Sequence, residues 1–185
     1  MNPLEIAGAI LGLVNIVLLV RRSVWNFPAA MAMVVCVGIV LFEAKLYAEA
    51  GLQVFFFAAN VWGWALWHRA KGAENAVPVR GLGWPARAGW LAATAAFSVT
   101  VGLLLKAHTD AVLPMADSAV AGMSVTAQLL LAFRRIENWL VWIVVDVVAI
   151  ALYLIRDLHL FAGLYAAFLV LSVIGLREWV KVAKA

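Results

Sequence analysis

Residues 138–155 read NWLVWIVVDVVAIALYLI, eighteen positions in which Asp146 is the sole charge. A bilayer core about 30 Å thick is crossed by about 20 mostly apolar residues in helical form. The run is too long and too uniform for a barrel strand, which alternates polar and apolar positions. A helix satisfies its own backbone hydrogen bonds, which a chain in hydrocarbon must do. The stretch therefore predicts a membrane-spanning α-helix, and the rest of the chain repeats the pattern.

Six more apolar runs lie outward from it: roughly Pro3–Val20, Phe27–Phe42, Leu52–Trp67, Gly89–Leu105, Ser118–Phe133 and Leu158–Leu176. Several are short, so flanking Trp and Arg side chains are expected to complete the span at the interface. Over 185 residues the chain is 66% hydrophobic and 13% charged, with a mean hydropathy of +1.01. Soluble domains average about 45–50% apolar and about 25% charged. The composition therefore excludes a water-soluble globule and predicts one all-α membrane domain of seven helices.

Of the 14 Lys and Arg residues, Arg21, Arg22, Arg69, Lys71, Arg80, Arg87, Arg134, Arg135, Arg177, Lys181 and Lys184 fall on one side of such a topology. Lys45, Lys106 and Arg156 fall on the other. Cytoplasmic loops carry the excess of positive charge. This places the N-terminus outside and the C-terminus in the cytoplasm. Arg21 and Arg22 follow the first run rather than precede it, so that run is expected to be a retained helix. The basic balance marks topology and not a nucleic-acid groove. Cys36 is alone, so an internal disulfide is excluded. The loop from His68 to Pro85, with Gly72, Pro78, Gly81 and Gly83, reads as a flexible linker.

A shift of 112 residues, the separation of Asn26 from Asn138, also aligns Leu46 with Leu158, Gly51 with Gly163 and Phe56 with Phe168. Gly63 then meets Gly175, Trp67 meets Trp179, Arg22 meets Arg134 and Glu5 meets Asp117. Asn, Gly and Trp rarely coincide in one gapless register by chance. The reading is two parallel three-helix repeats, about 1–68 and about 116–181, joined by a linker helix at about 85–106. Parallel repeats of this kind are a transporter architecture, with substrate held near the midplane between the halves.

Polar residues in hydrocarbon are costly and face the bundle interior. Gln53, Phe57, Asn60, Trp64 and Trp67 recur on one face of the third run, and Asn138, Trp142 and Asp146 on one face of the sixth, with Trp139 and Tyr153 nearby. Asp117, Ser124 and Gln128 lie near one stripe of the fifth. Tyr165, Ser172 and Trp179 hold the shifted positions of Gln53, Asn60 and Trp67. Trp and Tyr faces attract flat or cationic molecules, while carboxamides and Asp146 hydrogen-bond hydroxyl and amide groups. Structural readings stand beside these: Trp25, Trp84, Trp90 and Trp179 as interfacial belt residues, Ser124 and Ser172 as small packing positions, and Asn60 and Gln128 as interhelical bonds. Asp146 and Glu137 have a local pairing as their alternative. No phosphate loop, nucleophile elbow or metalloprotease motif occurs. No enzymatic activity, cofactor or metal is expected.

The stretches QVFFFAANVWGWALW at 53–67 and RIENWLVWIVVD at 135–146, followed by Leu152-Tyr153, Leu164-Tyr165, Phe168 and Gly175, closely resemble the PnuC family of bacterial vitamin transporters. The resemblance implies a three-plus-one-plus-three fold like that of the SWEET sugar carriers. It implies uptake of nicotinamide riboside across the inner membrane by facilitated diffusion, with trapping by a cytoplasmic kinase, and it implies a homotrimer. Related carriers take thiamine, riboflavin or deoxynucleosides, so these remain alternative cargoes. The expected substrate-binding set is Gln53, Phe57, Asn60, Trp64, Gln128, Glu137, Asn138, Trp139, Trp142, Asp146 and Tyr165.

Overall fold

The structure, a computed structural model, describes residues 3–43, 47–70, 77–109, 113–155 and 159–184. Lys45, Leu46, Lys71, Gly72, Arg156 and Leu158, used above for charge or register, lie outside them. Seven helices follow in order: α1 Pro3–Val20, α2 Asn26–Glu43, α3 Tyr47–Ala70, α4 Trp84–His108, α5 Pro114–Ala132, α6 Glu137–Ile155 and α7 His159–Lys184. Six of these, all but α3, are long and apolar enough to cross a membrane. At 24 residues α3 has the length. Its hydropathy is lowered by Gln53, Asn60 and three tryptophans. Exposed large side chains include Trp84 (79%), Ile155 (73%) and Leu91 (72%). Apolar surface on this scale suits lipid and not water.

Packing closes a cycle: α1 on α2, α2 on α3, α3 on α5, α5 on α6, α6 on α7 and α7 back on α1. The fourth helix packs on α5 alone and stands outside the cycle. The Thr94 and Thr126 hydroxyls meet at 2.6 Å between these two helices.

At one end of the cycle α1 and α5 stop in the same way. Arg22 N–H donates to Leu19 O at 2.9 Å and Ser23 N–H to Leu18 O at 3.0 Å; Arg134 N–H donates to Leu131 O at 2.8 Å and Arg135 N–H to Leu130 O at 2.8 Å. This is the Schellman pattern, whose left-handed residue is usually glycine. Here it is Arg22 (φ 56°) and Arg134 (φ 60°). The last helical carbonyls gain a second donor from across the bundle. Trp67 of α3 donates its Nε1–H to Leu131 O at 3.1 Å, and Trp179 of α7 donates to Leu19 O at 3.3 Å. Each indole thus helps satisfy a helix end that lacks intrahelical partners.

Both indoles are fully buried, in a cluster with Leu19, Val24, Phe27, Val77, Val79, Leu131 and Trp139. Trp179 is therefore no interfacial belt residue. Past Leu176 the apolar run ends, but α7 continues because Trp179 and Val182 still face this cluster. Trp25 (63% exposed) and Trp84 do lie at the surface.

The rings close because Gly63 and Gly175 let them approach. A Cβ at Gly175 would lie 2.5 Å from two carbons of the Trp139 ring, and one at Gly63 would lie 2.6 Å from Phe27. Gly163, on the same helix as Gly175, has nothing among the described residues within 4 Å of such a Cβ. Gly175→Ala is expected to cost about 1–3 kcal/mol through overpacking. Gly163→Ala should be neutral or stabilise by up to about 1 kcal/mol through helix propensity. Thermal unfolding of the two variants in detergent checks the contrast; equal shifts would remove the close approach as its cause.

Candidate functional site

Between the membrane faces, α3 and α5 meet through a buried amide pair. Asn60 donates Nδ2–H to Phe56 O one turn back at 2.8 Å, which fixes its rotamer. Its Oδ1 accepts from Gln128 Nε2 at 3.1 Å. On the opposite side of the cycle α6 and α7 meet through Asp146 and Ser172, whose hydroxyl donates to the carboxylate at 3.1 Å. Asp146 is 3% exposed and Ser172 2%. Among the described residues no Lys or Arg pairs with Asp146. A buried carboxylate held by one neutral hydroxyl is poorly compensated, because burial without a counter-charge is expensive. Ser172 is therefore more than a small packing residue.

Aromatic faces stand on the same helices. Tyr165 lies 5.2 Å from Tyr153 and 5.4 Å from Phe168, ring centre to ring centre. Phe168 in turn packs over Gly12 of α1. Trp64 is half-buried, edge-on to His68 at 6.1 Å, and its Nε1–H is buried with no acceptor among the described residues. Trp142 is half-buried on α6. Gln53 packs across Gly38 of α2.

Other members of the expected set stand elsewhere. Phe57 is 41% exposed. Glu137, Asn138 and Trp139 form the first turn of α6, at the arginine-rich end. Asn138 donates Nδ2–H to Arg135 O at 2.6 Å, as Asn26 does to Ser23 O at 2.6 Å. Trp139 belongs to the aromatic cluster, edge-on to Trp179 at 5.4 Å. Glu137 pairs not with adjacent Arg134 or Arg135 but with Arg87: its Oε1 accepts from Arg87 Nη2 at 2.8 Å, Arg87 Nε at 3.0 Å and Leu82 N–H at 2.9 Å. The macrodipole of α6 favours a carboxylate there.

Glu137 thereby fastens the segment before α4. Arg80 N–H donates to Arg134 O and Ile136 N–H to Arg80 O, both at 3.1 Å. Arg22 Nη1 donates to Val77 O at 3.1 Å. Val77 is 0% and Val79 5% exposed. The described part of the loop expected to be a flexible linker is thus a pinned strap, with two valines sealed into the aromatic cluster. The signal was in the sequence: Val77-Pro78-Val79 is an apolar island in a polar loop. Asn15 was also passed over. It lies inside α1, and its Oδ1 is buried without a partner among the described residues. A lone carboxamide in an apolar run was the available sign.

The arrangement places carboxamides, a carboxylate and aromatic faces inside a cycle of helices, with one end closed by indoles and a strap. These groups offer hydrogen bonds and ring faces; among the described residues nothing there pairs a nucleophile with a base. Three comparisons place the chain among known proteins. The sequence profile of a family described as nicotinamide mononucleotide transporter matches residues 2–181. The nicotinamide riboside transporter PnuC of Escherichia coli (strain K12) is 28% identical over 207 aligned residues, covering 98% of this chain and 86% of the relative. The riboflavin/roseoflavin transporter RibM of Streptomyces davaonensis is 32% identical over 181 residues, covering 95% and 83%. A crystal structure of the vitamin B3 transporter PnuC shares the fold, with a TM-score of 0.83 at 24% identity over 99% of this chain and 84% of that one. Matched by that profile over nearly its whole length, this multi-pass membrane chain belongs to the nicotinamide mononucleotide transporter family.

Proposed function

We propose that this chain carries nicotinamide riboside into the cell across the inner membrane by facilitated diffusion, a cytoplasmic kinase then trapping the cargo as its phosphate. The observation that carries the choice of cargo is Asp146, a buried carboxylate with a hydroxyl donor but no cation among the described residues. A pyridinium ring would supply the missing charge, and Trp142, Trp64 and Tyr165 would supply ring faces. Asn60, Gln128 and Gln53 offer hydrogen bonds to ribose hydroxyls and the carboxamide, and Asn15 joins the set as an acceptor. Glu137, Asn138, Trp139 and Phe57 are kept as contacts made when the arginine-rich end opens. Thiamine, also cationic, fits the same reasoning. Riboflavin is the second reading, favoured by the 32% identity to RibM; it is neutral and would make no use of the charge on Asp146.

The architecture we infer is three helices, a linker helix and three helices, as parallel repeats with the SWEET-like pathway between them. Support comes from the paired helix ends at Arg22 and Arg134, the crossed indole bonds of Trp67 and Trp179, and the ring-facing Gly63 and Gly175. The N-terminus is outside and the arginine-rich end cytoplasmic, following the charge bias. A homotrimer with one pathway per protomer is part of the same proposal.

Binding of nicotinamide riboside, thiamine, riboflavin and a deoxynucleoside to the purified protein decides the cargo. A response to riboside alone supports the first reading, and one to riboflavin alone replaces it. Asn60→Ala removes one neutral hydrogen-bonding group, which at about 0.5–1.5 kcal/mol should weaken binding up to about tenfold. Trp142→Ala should weaken it at least as much through the lost ring face. Full affinity in both variants would remove the site.

A further inference from the structure

The turn between α5 and α6 carries chemistry that cargo binding does not use. We propose that Arg80, Arg134 and Arg135 form a binding site for a phosphate group, either a phosphodiester or a phosphomonoester. The three side chains and Pro78 and Phe133 line a cleft of about 190 Å³ at the arginine-rich end. Their backbones are fixed by the Arg80–Arg134 and Ile136–Arg80 hydrogen bonds, which together make a parallel bridge between Arg80 and Arg135. Among the described residues none of the three guanidiniums has a carboxylate partner. The nearest acid in sequence, Glu137, gives one oxygen to Arg87 and Leu82.

Like charges gathered this way repel. Burial, with Arg135 and Arg80 alongside, holds the Arg134 guanidinium below its ordinary pKa. A phosphate oxygen cluster is the natural complement, since guanidinium forks bind it bidentately. The backbone points the same way. Arg134 occupies a left-handed position that glycine fills at lower cost. Its counterpart Arg22 occupies the same conformation but uses its guanidinium on Val77 O. Arg134 makes no such bond among the described residues, so its side chain is free for a ligand. Occupancy would tie the strap at Arg80 to the α5–α6 turn.

Two sources share this chemistry: the headgroup of an anionic lipid and a soluble phosphate ester. The full-length protein in detergent is heated with inorganic phosphate or with chloride at matched ionic strength. In parallel, native mass spectrometry compares retention of phosphatidylglycerol and phosphatidylcholine. Arg134→Gly is the primary variant because the backbone there accepts glycine; Arg80→Gln and Arg135→Gln stand in should it misfold. A soluble ester as source predicts that phosphate at about ten times its Kd raises the wild-type Tm by about 3–5 °C and leaves the variants unmoved. A lipid source predicts no phosphate shift but preferential retention of phosphatidylglycerol, reduced about tenfold in the variants. Wild type and all three variants behaving alike in both arms overturns the proposal.

Discussion

Trp67→Ala and Trp179→Ala should each lower the stability of the folded protein by about 3–5 kcal/mol, the range for removing a large buried aromatic side chain. Both rings are 0% exposed and pack edge-on or tilted against one another and against Phe27 and Trp139. Truncation also deprives Leu131 O or Leu19 O of its indole donor. That second loss is smaller, because each carbonyl retains the N–H of Arg134 or Arg22. Trp→Phe separates the two contributions. It keeps much of the ring and drops the donor, at about 0.5–1.5 kcal/mol plus the smaller ring volume. Equal losses at positions 67 and 179, read from thermal or denaturant unfolding in the same detergent, are expected, since each ring does for one half of the chain what the other does for the second. A large effect at one position and none at the other would separate the two helix ends and remove the symmetric account.

The same cluster explains what was legible in the sequence and what was not. The bounds of α1 were readable because its apolar run ends sharply at Arg21 and Arg22, and the seven helices followed from runs of that kind. The match of Gly63 with Gly175 and Trp67 with Trp179 at one shift was readable in the sequence itself. Their roles were not. A Trp among Arg and Lys residues near a helix end has the pattern of a belt residue, and Trp179 differs only because α1, far away in sequence, presents Leu19 O to it. The strap escaped for a similar reason, since Gly and Pro announce a turn without saying what the intervening valines touch. Local periodicity placed Asn60 and Asp146 on interior faces correctly. It could not name Gln128 and Ser172 as their partners, because those bonds join helices 68 and 26 residues apart in sequence. Glu137 shows the converse: its neighbours Arg134 and Arg135 suggested a local pair, and the chain instead brings Arg87 from 50 residues away.

Those long-range partners set the terms for Asp146, where stability and transport should move in opposite directions. A buried carboxylate with one hydroxyl donor carries a desolvation cost that its surroundings only partly offset, and replacing such a group by an apolar one of similar volume is often neutral or stabilising by about 1–4 kcal/mol. Asp146→Leu is therefore expected to raise Tm or leave it unchanged while binding of a cationic cargo falls about hundredfold, the scale of a lost buried charge pair at about 2–5 kcal/mol. Asp146→Asn distinguishes charge from hydrogen bonding: the amide oxygen can still accept from Ser172 Oγ, yet the negative charge is gone. For nicotinamide riboside or thiamine both variants should fail alike. For riboflavin, which is neutral, Asn should retain most of the wild-type affinity and Leu should not. Titrating all three ligands against the wild type and the two variants, alongside their unfolding curves, reads out the role directly. Wild-type binding of a cationic cargo by Asp146→Leu would show that the carboxylate is not its counter-charge, and a sharply lowered Tm in the same variant would show that Asp146 is held for packing.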